Sequence, residues 1–366
     1  MTSPFTNQYE DHLCIDYKTE LNEKGGLHLQ RKTRVIQKIL KKVAGFVIAM
    51  VCLSIIVFYF SRLAPGDPLQ SFYGDAVESM STQELLAAKE RLGLDDPIHI
   101  QYAKWISNTF HGDFGMSLKY KIPAMEVVSP LIGNTLILGG ISYLVVFFLA
   151  IFLAICCALN EDSLFDRIIC KVGTAAYYIP TFWLGVVLVL VFSINLNWLP
   201  SSGAYDFGKS GDVLNRLQHL VLPLAVMVLS HLWYYAYMFR NKLLDEFRRD
   251  YILLAKTKGL AKVEIIFKHC LRNIAPTIIS IMAISTTHIV SGTYIAEAVF
   301  NYPGIGALSV ESAKYHDYNL LLLLVLITGA LVIISSMIAQ SINEVIDPRM
   351  KELEAVTWRK RTKTSS

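Results

Sequence analysis

The chain has 366 residues, 53% of them hydrophobic and 17% charged, with a mean hydropathy of +0.42 and a formal net charge of +4. A water-soluble core does not need so much apolar material, and so small a positive balance is no nucleic-acid footprint. The six cysteines contain no C-x-x-C pair and lie mostly in or beside apolar stretches, so they read as packed thiols rather than disulfides or zinc ligands.

In chain order, residues 1–42 read as a polar, mixed-charge tail, mobile over its first 30 residues and ending in a basic cluster from Arg31 to Lys42. The first apolar run begins near residue 43. It is too long for the core of a cleavable leader and reads as a retained membrane span, 43–64 with its exit. Pro65, Gly66 and Pro68 stop that helix. A large loop, 65–130, follows. Within it the pattern predicts a helix over 81–92, with Ser81 or Thr82 as cap and Glu84 in the first turn, ended by Gly93-Leu94-Asp95-Asp96-Pro97. Aromatic residues around Tyr102 and Trp105 precede Gly112-Asp113-Phe114-Gly115.

Five more apolar runs cover 134–159, 172–195, 218–239, 274–296 and 319–342. A span needs about 20 apolar residues, and in lipid the backbone must satisfy itself, so each is read as a helix. Pro180 and Pro223 are expected to kink the third and fourth. Basic residues set the orientation. Nine Lys/Arg lie between Arg240 and Arg272, whereas the loop 65–130 has nine acidic residues against five basic. Both termini and the 240–273 loop are therefore expected in the cytoplasm, with 65–130 outside. The fold expected is an all-α polytopic membrane protein with six spans, a core over 131–342 and a cytoplasmic tail over 343–366.

Residues 250–273 are charged and helix-like, yet lie between two apolar runs. Ala255 and Gly259 are spaced A-x-x-x-G, Leu260 follows, and Val263, Ile266, Phe267 and Cys270 recur at helical spacing as one apolar face. Glycine is costly inside a helix and tolerates turn geometry, so Gly259 reads as the turn between two short helices. Such an element offers a compact knob to a soluble partner.

This segment resembles the EAA loop of the membrane subunits of ABC importers. Asp250, Tyr251, Ala255, Lys258, Gly259, Leu260, Phe267 and Asn273 match the wording of the dipeptide, oligopeptide and nickel permease branch. Eight further collinear matches support the resemblance. They are Arg62-Leu63-Ala64-Pro65-Gly66-Asp67-Pro68, Leu92-Gly93-Leu94-Asp95-Asp96-Pro97, Gly112-Asp113-Phe114-Gly115-Met116-Ser117, Asn134-Thr135-Leu136, Ile179-Pro180-Thr181-Phe182-Trp183-Leu184-Gly185, Trp198-Leu199-Pro200, Glu297-Ala298-Val299-Phe300 with Pro303-Gly304-Ile305-Gly306, and Asp347-Pro348-Arg349. Two features depart from the branch: Asn319 stands where proline usually follows Asp-Tyr, and residues 1–30 are longer than the usual tail.

The resemblance implies a type I, MetI-like permease architecture with a large extracytoplasmic loop between spans 1 and 2, in a bacterial or archaeal cell membrane. It implies a non-catalytic chain that works with a homologous second permease subunit, two cytoplasmic ABC ATPase subunits and an extracytoplasmic solute-binding protein. The chain itself would bind no cofactor; ATP and magnesium would be used by the partners. The cargo implied is short peptides, with nickel, free or chelated, as the alternative.

Gly203-Ala204-Tyr205-Asp206-Phe207-Gly208-Lys209-Ser210 satisfies the G-x-x-x-x-G-K-[ST] phosphate-loop pattern. That chemistry needs a preceding strand and a following helix N-terminus within a βαβ unit. Here an apolar run and Pro200 precede it in a short loop, so the match is read as false and as a polar turn. On the fourth and fifth spans, His231, Tyr234, Tyr235, Thr287, His288 and Ser291 recur at helical spacing. Two readings stay open for them: lining of a translocation path, or helix packing through polar and small side chains. Glu297, a carboxylate near the end of the fifth run, is grouped with the path, as a gate or a structural hydrogen-bond acceptor rather than a proton relay. The scattered histidines suggest no metal site, and no catalytic set emerges. A stand-alone secondary transporter would show inverted repeats and mid-membrane charges, and neither is visible.

Overall fold

The computed structural model of the chain describes residue 37, residues 39–63 and residues 68–346. The expected mobile tail, the Pro65-Gly66-Asp67 exit and the Asp347-Pro348-Arg349 match lie outside the described residues. The chain divides into two units, Met1–Cys52 and Leu53–Ser366. The described part of the first is the beginning of helix α1 (Ile39–Leu63). All contacts below lie within the second unit.

The described secondary structure is helical, apart from one isolated bridge between Met116 and Pro123. Three short helices follow α1: α2 (Pro68–Tyr73) with a 3-10 turn (Gly74–Ser79), α3 (Thr82–Arg91) and α4 (Ile98–Phe110). α3 starts as its sequence predicts. The Ser81 hydroxyl accepts the Glu84 N–H at 3.4 Å, and the Glu84 carboxylate accepts the Ser81 N–H at 2.8 Å. Gly93, at φ +66°, takes the chain out of the helix.

Among the described residues, five helices are long and apolar enough to cross a membrane, and a sixth crossing results if one bent pair counts as a single span. α5 (Ala124–Leu159) begins ten residues before its apolar run. The third run is not one rod. α6 (Leu164–Tyr177) and α7 (Thr181–Leu188, continued by a π turn, Val189–Asn195) meet at 104°. The break falls at Ile179-Pro180, because proline has no N–H to donate and disfavours helical backbone in the residue before it. Pro223 lies inside α8 (Val213–Phe247), which runs on past it. After α9 (Asp250–Thr257), α10 (Lys262–Ile265) passes through a π turn (Ile266–Cys270) into α11 (Leu271–Val299). The second half of the charged loop is thus continuous with the fifth span. α12 (Ile305–Lys314) and α13 (Tyr318–Ile346) close the fold.

In lipid, helices associate by close packing rather than by expulsion of water. α5 accordingly presents Ala150, Ala154 and Ala158 at four-residue spacing, all essentially unexposed, and α8 packs along it. Phe147 of α5 packs against Tyr235 of α8 with the rings tilted at 45° and 4.9 Å between centroids. One end of the bundle is fixed by charge. The Asp166 carboxylate, at the Ser163-capped start of α6, accepts two bonds from the Arg240 guanidinium of α8, the Nε bond at 2.5 Å. At the same end Lys262 Nζ donates to the Leu159 carbonyl at 2.7 Å, capping α5. At the opposite end α12 lies among α5, α11 and α13 through Val128, Tyr294, Ile305, Leu308, Leu320 and Leu324.

Candidate functional site

The loop between α8 and α11 builds a helix–turn–helix knob. α9 ends in a complete Schellman turn: the Gly259 N–H donates to the Lys256 carbonyl at 2.9 Å and the Leu260 N–H to the Ala255 carbonyl at 3.3 Å. That turn needs left-handed backbone, and Gly259 supplies it at φ +77°. The A-x-x-x-G-L spacing is therefore the sequence of a helix stop. Ala255 is buried at the root, while Asp250, Lys258 and Gly259 are exposed. The expected single apolar face divides in two. Ile266 and Cys270 are buried, whereas Val263 and Phe267 are 51% and 55% exposed, together with Leu253 and Leu254 of α9. The π turn puts an extra residue into this stretch and shifts the register between the two sets.

Tyr251 and Asn273 are brought together at the root of the knob, around Glu246, which sequence reading did not select. The Tyr251 hydroxyl donates to Glu246 Oε1 at 2.6 Å, and Asn273 Nδ2 donates to the Tyr251 oxygen at 2.8 Å. Partial burial, with 39% of the residue still exposed, and then the Glu246 carboxylate push the Tyr251 phenol up to about 12. The available signal was an acidic residue in a strongly basic stretch.

Five of the polar residues read from the fourth and fifth spans share one cavity of roughly 290 Å³: His231, Tyr234 and Tyr235 of α8 with His288 and Ser291 of α11. Ser230 of α8, Gly292 and Ile295 of α11, and Ile179 and Thr181 at the α6–α7 break complete it. His231 Nδ1 sits 2.9 Å from the Met227 carbonyl. The helices approach closely here, since a Cβ on Gly292 would fall 2.9 Å from His231 Cε1. Thr287 is exposed on the adjoining strip of α11 and does not line the cavity.

Glu297 stands apart from that cavity and is wholly buried. Its Oε1 accepts the Thr135 hydroxyl at 2.6 Å, and its Oε2 accepts the Gly306 and Ala307 N–H groups at 2.7 and 3.1 Å. The carboxylate occupies the amino end of α12, where N–H groups point outward and the helix dipole favours negative charge. Thr135 also accepts the Ile305 N–H at 2.9 Å. Two glycines make this possible. A Cβ on Gly304 would overlap the Glu297 carboxylate, and one on Gly306 would lie 2.6 Å from Tyr294 Cα. The Glu297…Pro303-Gly304-Ile305-Gly306 pattern is thus one capping device.

A second device joins the Gly112–Ser117 stretch to the start of α13. The Ser117 hydroxyl donates to the buried Asp317 carboxylate, which also accepts the Lys119 N–H at 3.1 Å. Asn319, the residue in the place of the usual proline, donates its amide to the Met116 carbonyl at 2.9 Å and packs against Gly115. Lys119 and Tyr120 both bond Glu311 of α12, the hydroxyl at 2.9 Å. Against the effect of burial, these two bonds bring Glu311 below the usual carboxylate value, while burial and Glu311 push Tyr120 up to about 12.

The Gly203–Ser210 stretch is a turn. α7 and its π turn precede it, and Asp212 caps α8 after it. Lys209 Nζ points to Asp206 Oδ2 of the same turn at 3.2 Å. Asn215, Lys209 and His219 hold the Asp206 carboxylate below its ordinary value.

A family model described as binding-protein-dependent transport system inner membrane component matches residues 147–352, and its N-terminal companion matches residues 35–129. The chain is 30% identical over 300 residues to the oligopeptide transport system permease protein AppB of Bacillus subtilis, covering 82% of this chain and 94% of that one. It is 28% identical to the di/tripeptide transport system permease protein DppB of Pseudomonas aeruginosa, covering 81% and 94%. In fold it resembles the inward-facing MetNI methionine ABC transporter, with a TM-score of 0.51 at 14% identity over 61% of this chain and 97% of that one.

Proposed function

The chain belongs to the binding-protein-dependent transport system inner membrane components, the permease subunits of ABC importers, and from that premise we propose that it forms half of the route by which short peptides cross the cell membrane. Peptide cargo is supported by what the similar permeases are named for. The other half of the route would be a homologous permease subunit. Two ABC ATPases would bind the cytoplasmic side and hydrolyse ATP with magnesium, and a solute-binding protein would deliver cargo from outside. The reading puts the α9–α10 knob and both termini in the cytoplasm and the α2–α4 segment outside, which the distribution of basic residues supports.

The observation that carries the coupling role is the knob itself. It is a capped helical turn with exposed Leu253, Leu254, Val263 and Phe267, and its second arm runs without interruption into α11. A partner that grips those side chains moves a span directly. The cavity between α8 and α11, to which α11 brings His288 and Ser291, would then be the surface whose access changes. Uphill uptake needs an energy source, and this chain's one phosphate-loop match is a self-paired turn, so the source is assigned to the partner ATPases.

Gly259→Val tests this reading. At φ +77° a β-branched residue is strained by at least about 1–2 kcal/mol and deforms the turn. Uptake is expected to be abolished while the chain still inserts into the membrane at its normal level. Undiminished uptake in the variant would refute the contact.

A further inference from the structure

The knob is rooted by a carboxylate that its motif does not include. α8 ends at Phe247 and α9 begins at Asp250, so only Arg248 and Arg249 join them. So short a joint can pivot unless side chains fix its angle. Glu246 lies in the last turn of α8, where the helix dipole disfavours an anion, so its place there calls for compensation from elsewhere. Its side chain is only 14% exposed, although Asp245, Arg248 and Arg249 beside it are exposed. Oε1 accepts the Tyr251 hydroxyl of α9 at 2.6 Å and Asn273 Nδ2 of α11 at 3.2 Å. Asn273 also donates to the Tyr251 oxygen at 2.8 Å, and Arg249 Nε stands 3.5 Å from Oε2. Three elements thus meet at one anion, and the tyrosine–asparagine bond closes the ring.

We infer that Glu246 is the positioning residue of the knob: it latches α9 to the roots of α8 and α11, so that a displacement of the knob turns both spans together. The inference rests on the reading of this loop as the ATPase contact. Hydrogen bonds to an ionised acceptor are roughly twice as strong as neutral ones, which suits a carboxylate to a joint under load. Without the latch, α9 keeps its buried anchors Ile252 and Ala255 but loses its bonded tie to α11, and part of the push from the partner is dissipated at Arg248-Arg249. The high Tyr251 value has burial as its first cause and Glu246 as its second, and it gives the latch a spectroscopic handle.

The experiment uses the assembled transporter in proteoliposomes, with ATPase subunits, binding protein and radiolabelled trialanine as the cargo probe. Glu246→Ala and Tyr251→Phe are expected to assemble and hydrolyse ATP, but to lower uptake per ATP hydrolysed about tenfold, the factor carried by one charge-assisted hydrogen bond. Glu246→Gln keeps an acceptor and is expected to restore part of that ratio. It also lowers the Tyr251 titration from about 12 toward the ordinary tyrosine value, read as the ultraviolet difference against the matching Tyr251→Phe protein. An unchanged uptake ratio in Glu246→Ala and Tyr251→Phe, or an unchanged Tyr251 titration in Glu246→Gln, overturns the latch. Should Glu246→Ala fail to assemble, the two conservative variants decide. A thiol introduced by Lys258→Cys separates this failure from a deeper one. If it cross-links to an ATPase subunit while the ratio is unchanged, only the latch is wrong; if it does not cross-link, the contact reading fails and the latch with it.

Discussion

A wholly buried carboxylate must be matched by donors, and Glu297 has three within 3.1 Å. Thr135 serves it twice, by donating to the carboxylate and by accepting from the first N–H of α12. Thr135→Val is therefore expected to cost about 1–3 kcal/mol, because a buried acceptor and a buried N–H both lose a partner. Gly304→Ala is expected to cost about 1–3 kcal/mol by overpacking, because the carboxylate it would strike cannot move without losing its bonds. Thermal unfolding of the detergent-purified subunit reads both, and unchanged midpoints would remove Glu297 from its capping role. A carboxylate at the end of an apolar run was legible in the sequence, but its place is at the amino end of α12 and not in the cavity with which it was grouped. Its bond to Thr135, 162 residues earlier, was not legible, because no local periodicity encodes a contact of that separation.

Among the elements, the 112–123 turn is held to α12 and α13 by groups whose titration sets a working range. Glu311 is lowered in the folded protein. Its contribution is thus present above the ordinary carboxylate value of about 4.3 and disappears as pH falls through the lowered value. Tyr120 is raised, so its contribution is present below about 10 and disappears as pH climbs through about 12. The difference in unfolding midpoint between the native chain and Glu311→Gln is expected to stay level from about pH 5 to 9 and to shrink in acid. A difference that varied through neutrality would show that other groups hold the turn. The helix–turn–helix at Gly259 was legible, since A-x-x-x-G-L is local chemistry. The division of its apolar residues into a buried and an exposed set was not, because the π turn changes the register without a marker in composition. The broken third span was half legible: Pro180 announced a kink but not its angle of 104°, which no local pattern of residues encodes.

At the scale of the whole molecule, a path reading requires the polar strip of α8 and α11 to meet water rather than lipid. In a background without native cysteines, thiols placed at Tyr234, His288 and Ser291 are expected to react with an impermeant reagent and to change reactivity with cargo and ATP. A thiol at Phe148, 71% exposed on an apolar face of α5, is expected not to react. Uniform silence at the three cavity positions would end that reading and leave helix packing. The number of spans and the sidedness expected of the loops followed from apolar length and the placement of lysine and arginine. Which strips face one another did not, since that is decided by the Ala150, Ala154 and Ala158 contact with α8 and the close approach at Gly292.

The corner at Ile179-Pro180 has a consequence for the surrounding bilayer. α7, with 8 residues, and its π turn, with 7, together rise only about 20 Å, well short of the roughly 30 Å of hydrocarbon. Wherever that segment meets lipid, the acyl chains beside it would have to shorten or tilt to match it.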